Sequence, residues 1–274
     1  MTKFYKQTLA INLSFFLFLQ TTPAQTTFTK KDKSYGGSCS DNATSIKKVK
    51  NGNYLVAGQT ISNDGQVTGF HGGLGFLSDF WIIKTNSTGK LLWQKTLGSV
   101  KEDVPFDIAL SADGGYVIAG EPGSIDGDVT NNHSQTDFWI VKLNTAGSLV
   151  WQHTYGGIRE DAPHSIIASA DGGFLVAGKY TQSDGTTDMW VIKINSDGTM
   201  LWQKFYGNIF SDEAYSIAPT TDGGFITAGT TMGIDGDLNE YNGLTDYMVV
   251  KADVNGKKLL CHYNVYLTHS HPLK

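Results

Sequence analysis

The sequence contains little cysteine, little proline and no strong excess of either charge. Its 274 residues include only two cysteines and six prolines, and the formal net charge is -5. Scarce cysteine excludes a disulfide-rich scaffold, and scattered Lys and Arg provide no basic patch for a nucleic-acid backbone. A chain of this length with 40% hydrophobic residues can bury a large core without disulfides or metal. These absences indicate a globular protein without nucleic acid among its partners.

Glycine, by contrast, is abundant, with 32 residues in the chain. Glycine accepts the positive φ of tight turns at little steric cost, so this abundance favours short strands joined by turns over long helices. β-branched and aromatic residues dominate the apolar runs after the N-terminus, and Gly, Asp or Asn lies at their junctions. That pattern is typical of strands, and the composition therefore predicts an all-β protein.

The one long apolar run lies at the N-terminus. Lys3 and Lys6 precede the stretch "LAINLSFFLFL", and the small-residue segment "TTPAQ" follows it. The run is too short for a stable bilayer span, whereas this order of basic, apolar and small residues is typical of a cleaved signal peptide. We predict a signal peptide over residues 1–24, a mature chain that begins near Gln25, and no membrane span after cleavage. The protein would then be extracellular, on the cell surface or in the periplasm.

One repeat recurs four times along the rest of the chain. Its Gly-rich part reads "NGNYLVAG", "DGGYVIAG", "DGGFLVAG" and "DGGFITAG", and its Asp-led part reads "DFWIIK", "DFWIVK", "DMWVIK" and "DYMVVK". The first three repeats then continue with "WQ". Four short antiparallel strands per repeat are the signature of a propeller blade. We predict an all-β propeller of four four-stranded antiparallel blades over residues 25–260, with Trp81, Trp139 and Trp190 buried at equivalent positions.

The fourth repeat departs from the pattern. Met248 replaces the first Trp, Cys261 is aligned with the second, and residues 261–274 resemble no other part of the chain. We assign 261–274 as an irregular tail, which is either a degenerate closing strand or a sign of an incomplete ring. In an oxidising compartment a disulfide between Cys39 and Cys261 would close the ring, and the alternative is that both remain thiols.

Antiparallel strand order separates two faces of the propeller. The "DGG" and "NTAG" turns lie on one face. The loops between the second and third strands of each blade and the linkers between blades lie on the other, which we name the long-loop face. These loops differ in length between repeats although the strands around them do not, as expected where binding residues are carried on a rigid scaffold. The candidate ligand-binding residues on this face are His71, His133, Glu160, Asp161, Asp184, Glu240 and Tyr241.

Two of these loops carry a pattern of carboxylates that suits calcium. "DGDVT" begins at Asp126 and "DGDLN" at Asp235, and each is followed by the Asp that leads the next strand. Oxygen ligands at the first, third and twelfth positions of a loop suit a hard cation. The candidate calcium ligands are therefore Asp126, Asp128 and Asp137 in one loop, and Asp235, Asp237 and Asp246 in the other. The alternative is that each Asp caps its own turn.

The repeat resembles those of secreted bacterial β-propeller proteins. The combined motif "DGGYVIAG…DFWIVKLNTAGSLVWQ" carries the resemblance, which covers residues 33–258. Many proteins of this group are exported through type IX secretion, and most have no assigned reaction. The resemblance therefore implies a secreted propeller scaffold.

Little in the sequence supports catalysis. Every candidate Asp recurs at the same position of the repeat, which points to a structural task done once per blade, whereas catalytic groups normally differ in environment. We predict a secreted, non-enzymatic module that binds a glycan or a cell-surface protein through the long-loop face. The alternative is a polysaccharide hydrolase or lyase that uses two unlike carboxylates near the axis.

Overall fold

The structure is a computed structural model that describes residues 32–72, 77–133, 136–233 and 245–263. Residues 261–263 are described by their backbone only. The predicted signal peptide, most of the predicted tail, and Asp235, Asp237, Glu240 and Tyr241 lie outside these residues. Within the described ranges, no helix combines the length and the apolar character that crossing a bilayer would require.

Sixteen strands and one 3₁₀ turn, Lys50–Gly52, make up the described elements. The first blade contains β1 (Asp41–Lys48), β2 (Tyr54–Thr60), β3 (Asp79–Thr85) and β4 (Leu91–Leu97). The second contains β5 (Val104–Leu110), β6 (Tyr116–Glu121), β7 (Phe138–Leu143) and β8 (Leu149–Tyr155). The third contains β9 (Ala162–Ala168), β10 (Phe174–Thr181), β11 (Thr187–Ile194) and β12 (Met200–Tyr206). The fourth contains β13 (Asp212–Pro219), β14 (Phe225–Thr231), β15 (Asp246–Ala252) and β16 (Lys258–Tyr263).

Each group of four consecutive strands forms one antiparallel sheet in chain order. The first strands of successive blades contact one another, β1 with β5, β5 with β9 and β9 with β13. In the part of the chain that the structure describes, no packing of this extent joins the fourth blade to the first. The fold is a β-propeller of four four-stranded antiparallel blades, as the repeat predicts.

The hydrophobic core lies between the blades. Three clusters of buried residues each contain side chains of two successive blades. They form because the middle strands of a blade present apolar side chains to the preceding blade on one side and to the following blade on the other. In the first interface Phe80 packs against Trp139, with ring centroids 4.6 Å apart. Phe80 also lies on Gly120, where a Cβ would overlap the phenyl ring. Burial of one such aromatic side chain contributes about 1.5–3 kcal/mol, so these contacts hold the blades together.

Trp81, Trp139 and Trp190 lie buried at equivalent positions, as predicted. Each indole Nε1 donates to the Gln of the same blade's "WQ" pair, with distances of 2.9, 2.7 and 3.0 Å. The repeated Gln therefore satisfies the one polar group of a buried Trp, a role that sequence reasoning did not assign. In the fourth blade Met248 needs no such partner because it has no N–H.

The end of the fourth blade differs from our expectation. Strand β16 continues to Tyr263, three residues into the segment that we assigned as tail. Leu260 pairs with Lys251 as Trp202 pairs with Lys193, so the position of the second Trp belongs to Leu260 and not to Cys261. Cys39 is an exposed free cysteine.

Candidate functional site

A pocket of about 680 Å³ opens on the long-loop face between the second and third blades. The loop after β6, the linker before β9 and the end of β10 form its walls. The lining residues are Lys101, Gly123, Ser124, Ile125, Asn132, His133, Ile158, Arg159, Glu160, Lys179 and Thr181. Two of the predicted ligand-binding residues, His133 and Glu160, are therefore brought together in this pocket.

The pocket combines positive charge with exposed apolar side chains. Its lining includes three basic side chains, those of Lys101, Arg159 and Lys179, and one carboxylate, that of Glu160. The Arg159 guanidinium Nη2 donates to the Ser183 carbonyl at 2.6 Å, which fixes its position. Ile158 is 84% exposed and Ile125 is 66% exposed at the same pocket. Exposed apolar side chains that lie together and are rimmed by polar groups are typical of surfaces that bind a partner.

A second group of polar and aromatic side chains lies on the first strands of the blades, near the same face. His164 of β9 contacts Glu213 of β13, with 2.6 Å between Nε2 and Oε1. The Tyr215 hydroxyl donates to the other oxygen of Glu213 at 2.9 Å. The His164 ring also packs edge-on against Phe106 of β5. Three different blades thus supply one connected cluster, which we name the axial cluster: Phe106, His164, Glu213 and Tyr215.

Two carboxyl groups around this cluster have opposite pKa shifts. Burial raises the pKa of Glu121, at the end of β6, to about 7, and the nearby Lys179 and His164 side chains oppose that rise only in part. Burial also disfavours ionised Glu213, but hydrogen bonds from His164 and Tyr215 outweigh it and lower the pKa of that carboxyl. Near neutral pH, Glu213 is ionised while Glu121 is divided between its two forms. Lys179 connects the two regions, because it lines the pocket and interacts with both carboxyls.

The Asp of the linker has a structural role in every blade. Asp161 is fully buried, and its carboxylate accepts the backbone N–H groups of Gly157 and Thr181, each at 2.7 Å. Asp103 accepts from Ser99 at 2.6 Å and Gly123 at 2.9 Å in the same way. This carboxylate therefore ties the linker to the end of the second strand. Asp161, which the sequence suggested as a ligand-binding residue, has no surface with which to touch a ligand.

In the first two blades, the Asp that leads the third strand also binds groups within the protein. Asp79 accepts the backbone N–H of His71 at 2.7 Å and contacts its Nδ1 at 2.9 Å. Asp137 holds His133 by the same two contacts, at 2.7 and 3.1 Å. These two Asp are fully buried, so the two histidines are the parts of these pairs that reach the surface.

Asp126 and Asp128 clamp their loop onto the preceding linker. Asp126 accepts the Val100 N–H at 2.7 Å, and Asp128 accepts the Gly98 N–H at 3.3 Å. In the first blade Gln66, at the position of Asp128, accepts the Gly36 N–H at 3.0 Å. The Gln66 amide oxygen therefore accepts the same kind of hydrogen bond as the Asp128 carboxylate, and neither hydrogen bond requires a cation.

No group of three or more His, Cys, Asp or Glu within the described ranges is arranged to hold a metal ion. Asp184 accepts from the backbone and hydroxyl of Thr186, at 3.0 and 2.7 Å, and so caps its own turn. These hydrogen bonds also lower the pKa of Asp184. Asp246 is the first residue of β15, and the rest of its predicted calcium set lies outside the described residues. For the loop at Asp126, the contacts agree with turn capping and leave calcium without a visible ligand set.

Sequence reasoning missed Glu121, Lys179, His164 and Tyr215. Their signal is departure from the repeat. After the repeated "AG" the four blades have Gln59, Glu121, Lys179 and Thr230. Three residues after the linker Asp they have Thr44, Phe106, His164 and Tyr215. Positions that vary within an otherwise regular motif mark the residues that the scaffold does not need.

No protein-family model matches the sequence. A protein of unknown function from Dyadobacter fermentans is similar in structure, with a TM-score of 0.51, 13% identity, and coverage of 83% of this chain and 70% of that one. A protein of unknown function from Bacteroides caccae gives a TM-score of 0.47 and 14% identity over 82% of this chain and 68% of that one. The first likeness supports the fold alone.

Among curated proteins, the regulatory protein FlaEY of Caulobacter vibrioides is 25% identical over 114 residues. The match covers 39% of this chain and 12% of FlaEY, so it spans a small part of that protein.

Proposed function

We propose that this chain is a secreted, non-enzymatic binding module whose long-loop face docks an acidic segment of a protein partner. The observation that carries the proposal is the pocket between the second and third blades, where three cations lie beside two exposed isoleucines. Cations attract a carboxylate-bearing segment, and apolar side chains at the same place gain free energy when a partner excludes water from them. The N-terminal sequence and the resemblance to secreted bacterial propeller proteins support export.

A protein fits this surface better than a glycan. Exposed apolar residues extend beyond the pocket along the linkers of this face, at Val100, Ile209 and Phe210. An exposed apolar patch rimmed by polar residues is typical of protein interfaces. Binding of a uronic-acid polysaccharide is the competing outcome.

Peptide arrays of acidic sequences with interspersed Leu and Phe, run beside polygalacturonate, test the proposal. We expect binding to the peptides, with Ile158→Ser weakening it by about 1–2 kcal/mol. We expect Lys101→Glu to slow association and to reduce its dependence on salt. Val254→Ser is the matched control, because Val254 is exposed on the opposite face between β15 and β16. Equal loss in the control, or preference for polygalacturonate, would contradict the proposal.

A specific observation favours a second candidate, polysaccharide hydrolase or lyase activity. A protonated Glu121 and an ionised Glu213 in unlike environments are what acid–base catalysis requires. In this reading Glu121 donates a proton and Glu213, held by His164 and Tyr215, accepts one or stabilises positive charge. Release of reducing ends or of unsaturated uronate from polysaccharides, lost in Glu121→Gln, would support it. If the parent protein turns over none of these polysaccharides, the second candidate is wrong and the binding module is the function that we propose.

A further inference from the structure

Each internal blade interface is closed by one residue, the second of the Asp-led motif. Phe80 of the first blade packs on Gly120 and Trp139 of the second. Phe138 and Met189 are fully buried in the next two interfaces. We call this side chain the lock residue, since it enters a pocket that the following blade provides.

The first blade has the same pocket, and in the described residues no lock residue enters it. A cavity of about 130 Å³ is lined by Gly58 and Trp81 among others. These two residues hold the positions that Gly120 and Trp139 hold in the second blade. Beside the cavity, Ile46 of β1 is 61% exposed, whereas its counterpart Ile108 is fully buried. The first blade therefore presents a receiving face that is built like the internal ones.

Tyr35 shows how a preceding blade would meet this face. Its hydroxyl donates to the Gly89 carbonyl, as the Tyr206 hydroxyl at the end of β12 donates to the Gly256 carbonyl of the fourth blade. Tyr35 thus stands in the place of a last-strand tyrosine. Among the described residues, none takes the place of the lock residue at this face.

The fourth blade carries a lock residue that points to water. Tyr247 follows Asp246 as Phe80 follows Asp79, and it is 62% exposed. Ile226 lies on the same side of the neighbouring strand β14 and is exposed, although its counterparts Val117 and Leu175 are buried. Strand β7 is buried on both faces, whereas β15 is buried only on the face toward the third blade. The fourth blade therefore presents a donating face.

We propose that the receiving face of the first blade binds the donating face of the fourth blade of a second copy of this chain. The occupant is identified by complementarity, since the chain already joins faces of these two kinds at three interfaces. Within the described residues, no comparable packing joins the remaining face of the fourth blade to that of the first. Such head-to-tail contacts are heterologous, so they close into a ring where the rotation permits and otherwise continue as an open array. This contact lies away from the pocket of the long-loop face.

Two substitutions at exposed positions separate the two faces. Ile46→Glu damages the receiving face and leaves the donating face intact, and Tyr247→Glu does the reverse. The mass of the purified chain is measured by sedimentation and light scattering over a wide concentration range. We expect the parent to self-associate, and each variant alone to do so at least about 30-fold more weakly. An equimolar mixture of the variants should form a two-chain complex, because one intact interface remains between them.

Val150→Glu is the matched control, since Val150 is exposed on β8 away from both faces. It should associate as the parent does. A parent that stays monomeric at every concentration would overturn the proposal, as would a mixture that behaves like either variant alone. A monomeric parent whose unfolding midpoint falls with Tyr247→Glu would assign Tyr247 to a contact within one chain, and would equally overturn it.

Discussion

Two sets of residues lie on the long-loop face, and they differ in whether the same residue type recurs in every blade. The linker Asp recurs in every blade; Asp103 and Asp161 are fully buried, and each binds backbone N–H groups. Glu121, Lys179 and His164 occupy positions where each blade has a different residue, and they interact with side chains of other blades. The repeated set builds the scaffold once per blade, whereas the unrepeated set is free to serve a site that exists once. In a repeat protein, regularity therefore marks structure and departure from it marks candidate function.

Removing a repeated carboxylate should have the largest effect on stability. In Asp161→Ala the N–H groups of Gly157 and Thr181 lose their acceptor in a buried place. Each unsatisfied group costs about 1–3 kcal/mol, so we expect the free energy of unfolding to fall by about 2–5 kcal/mol. Urea unfolding measures it.

The comparison variant lies three residues further along the chain, in β9. His164→Gln keeps a donor for Glu213, and we expect it to change the free energy of unfolding by less than about 1 kcal/mol. If both variants lose equal stability, the unrepeated cluster is part of the scaffold and the distinction between the two sets fails.

The repeated carboxylates also predict how stability depends on pH. Burial raises the pKa of Asp103 to about 7 and that of Asp161 to about 6, despite the N–H groups that favour their ionised forms. In the unfolded chain an Asp has a pKa near 4. Between these values the folded state binds more protons than the unfolded state, so stability falls as pH rises from about 4 to 7. Since one unit of pKa shift corresponds to about 1.4 kcal/mol, we expect a loss of at least about 2 kcal/mol across this window.

Asp103→Asn tests the source of that slope. The variant cannot ionise, so its unfolding midpoint should vary less with pH between about 4 and 7 than that of the parent. An unchanged slope would assign the pH dependence to other groups. Asp113 offers an internal contrast: hydrogen bonds from Lys142 and Gly115 lower its pKa to about 2, so its contribution is lost only below about pH 4.

The sequence was sufficient for the fold because the repeat appears four times. Gly turns, alternating apolar runs and buried Trp predict the four blades without knowledge of their packing, and the strand count is confirmed. The site was harder to predict for a physical reason. His164 and Glu213 lie 49 residues apart in sequence and meet only because β9 and β13 are first strands of adjacent blades. The repeated Asp drew attention first, and their burial is visible only in three dimensions.

The smallest expected effect concerns the loop that suggested calcium. Gln66 and Asp128 accept equivalent backbone N–H groups in the first and second blades. A glutamine is therefore sufficient at this position, and Asp128→Gln should shift the free energy of unfolding by no more than about 0.5 kcal/mol.

A calcium site would behave differently, since a ligand that binds only the folded state stabilises it by RT ln(1 + [L]/Kd). With the weak affinities of extracellular modules, millimolar calcium would add roughly 1–3 kcal/mol to the parent and less to Asp128→Gln. Thermal melts of both proteins with calcium and with chelator, at matched ionic strength, distinguish the two. We expect calcium to leave the melting midpoint of each protein unchanged, because the contacts of Asp126 and Asp128 are complete within the chain. A calcium-dependent rise in the midpoint of the parent alone would instead support a calcium site at this loop.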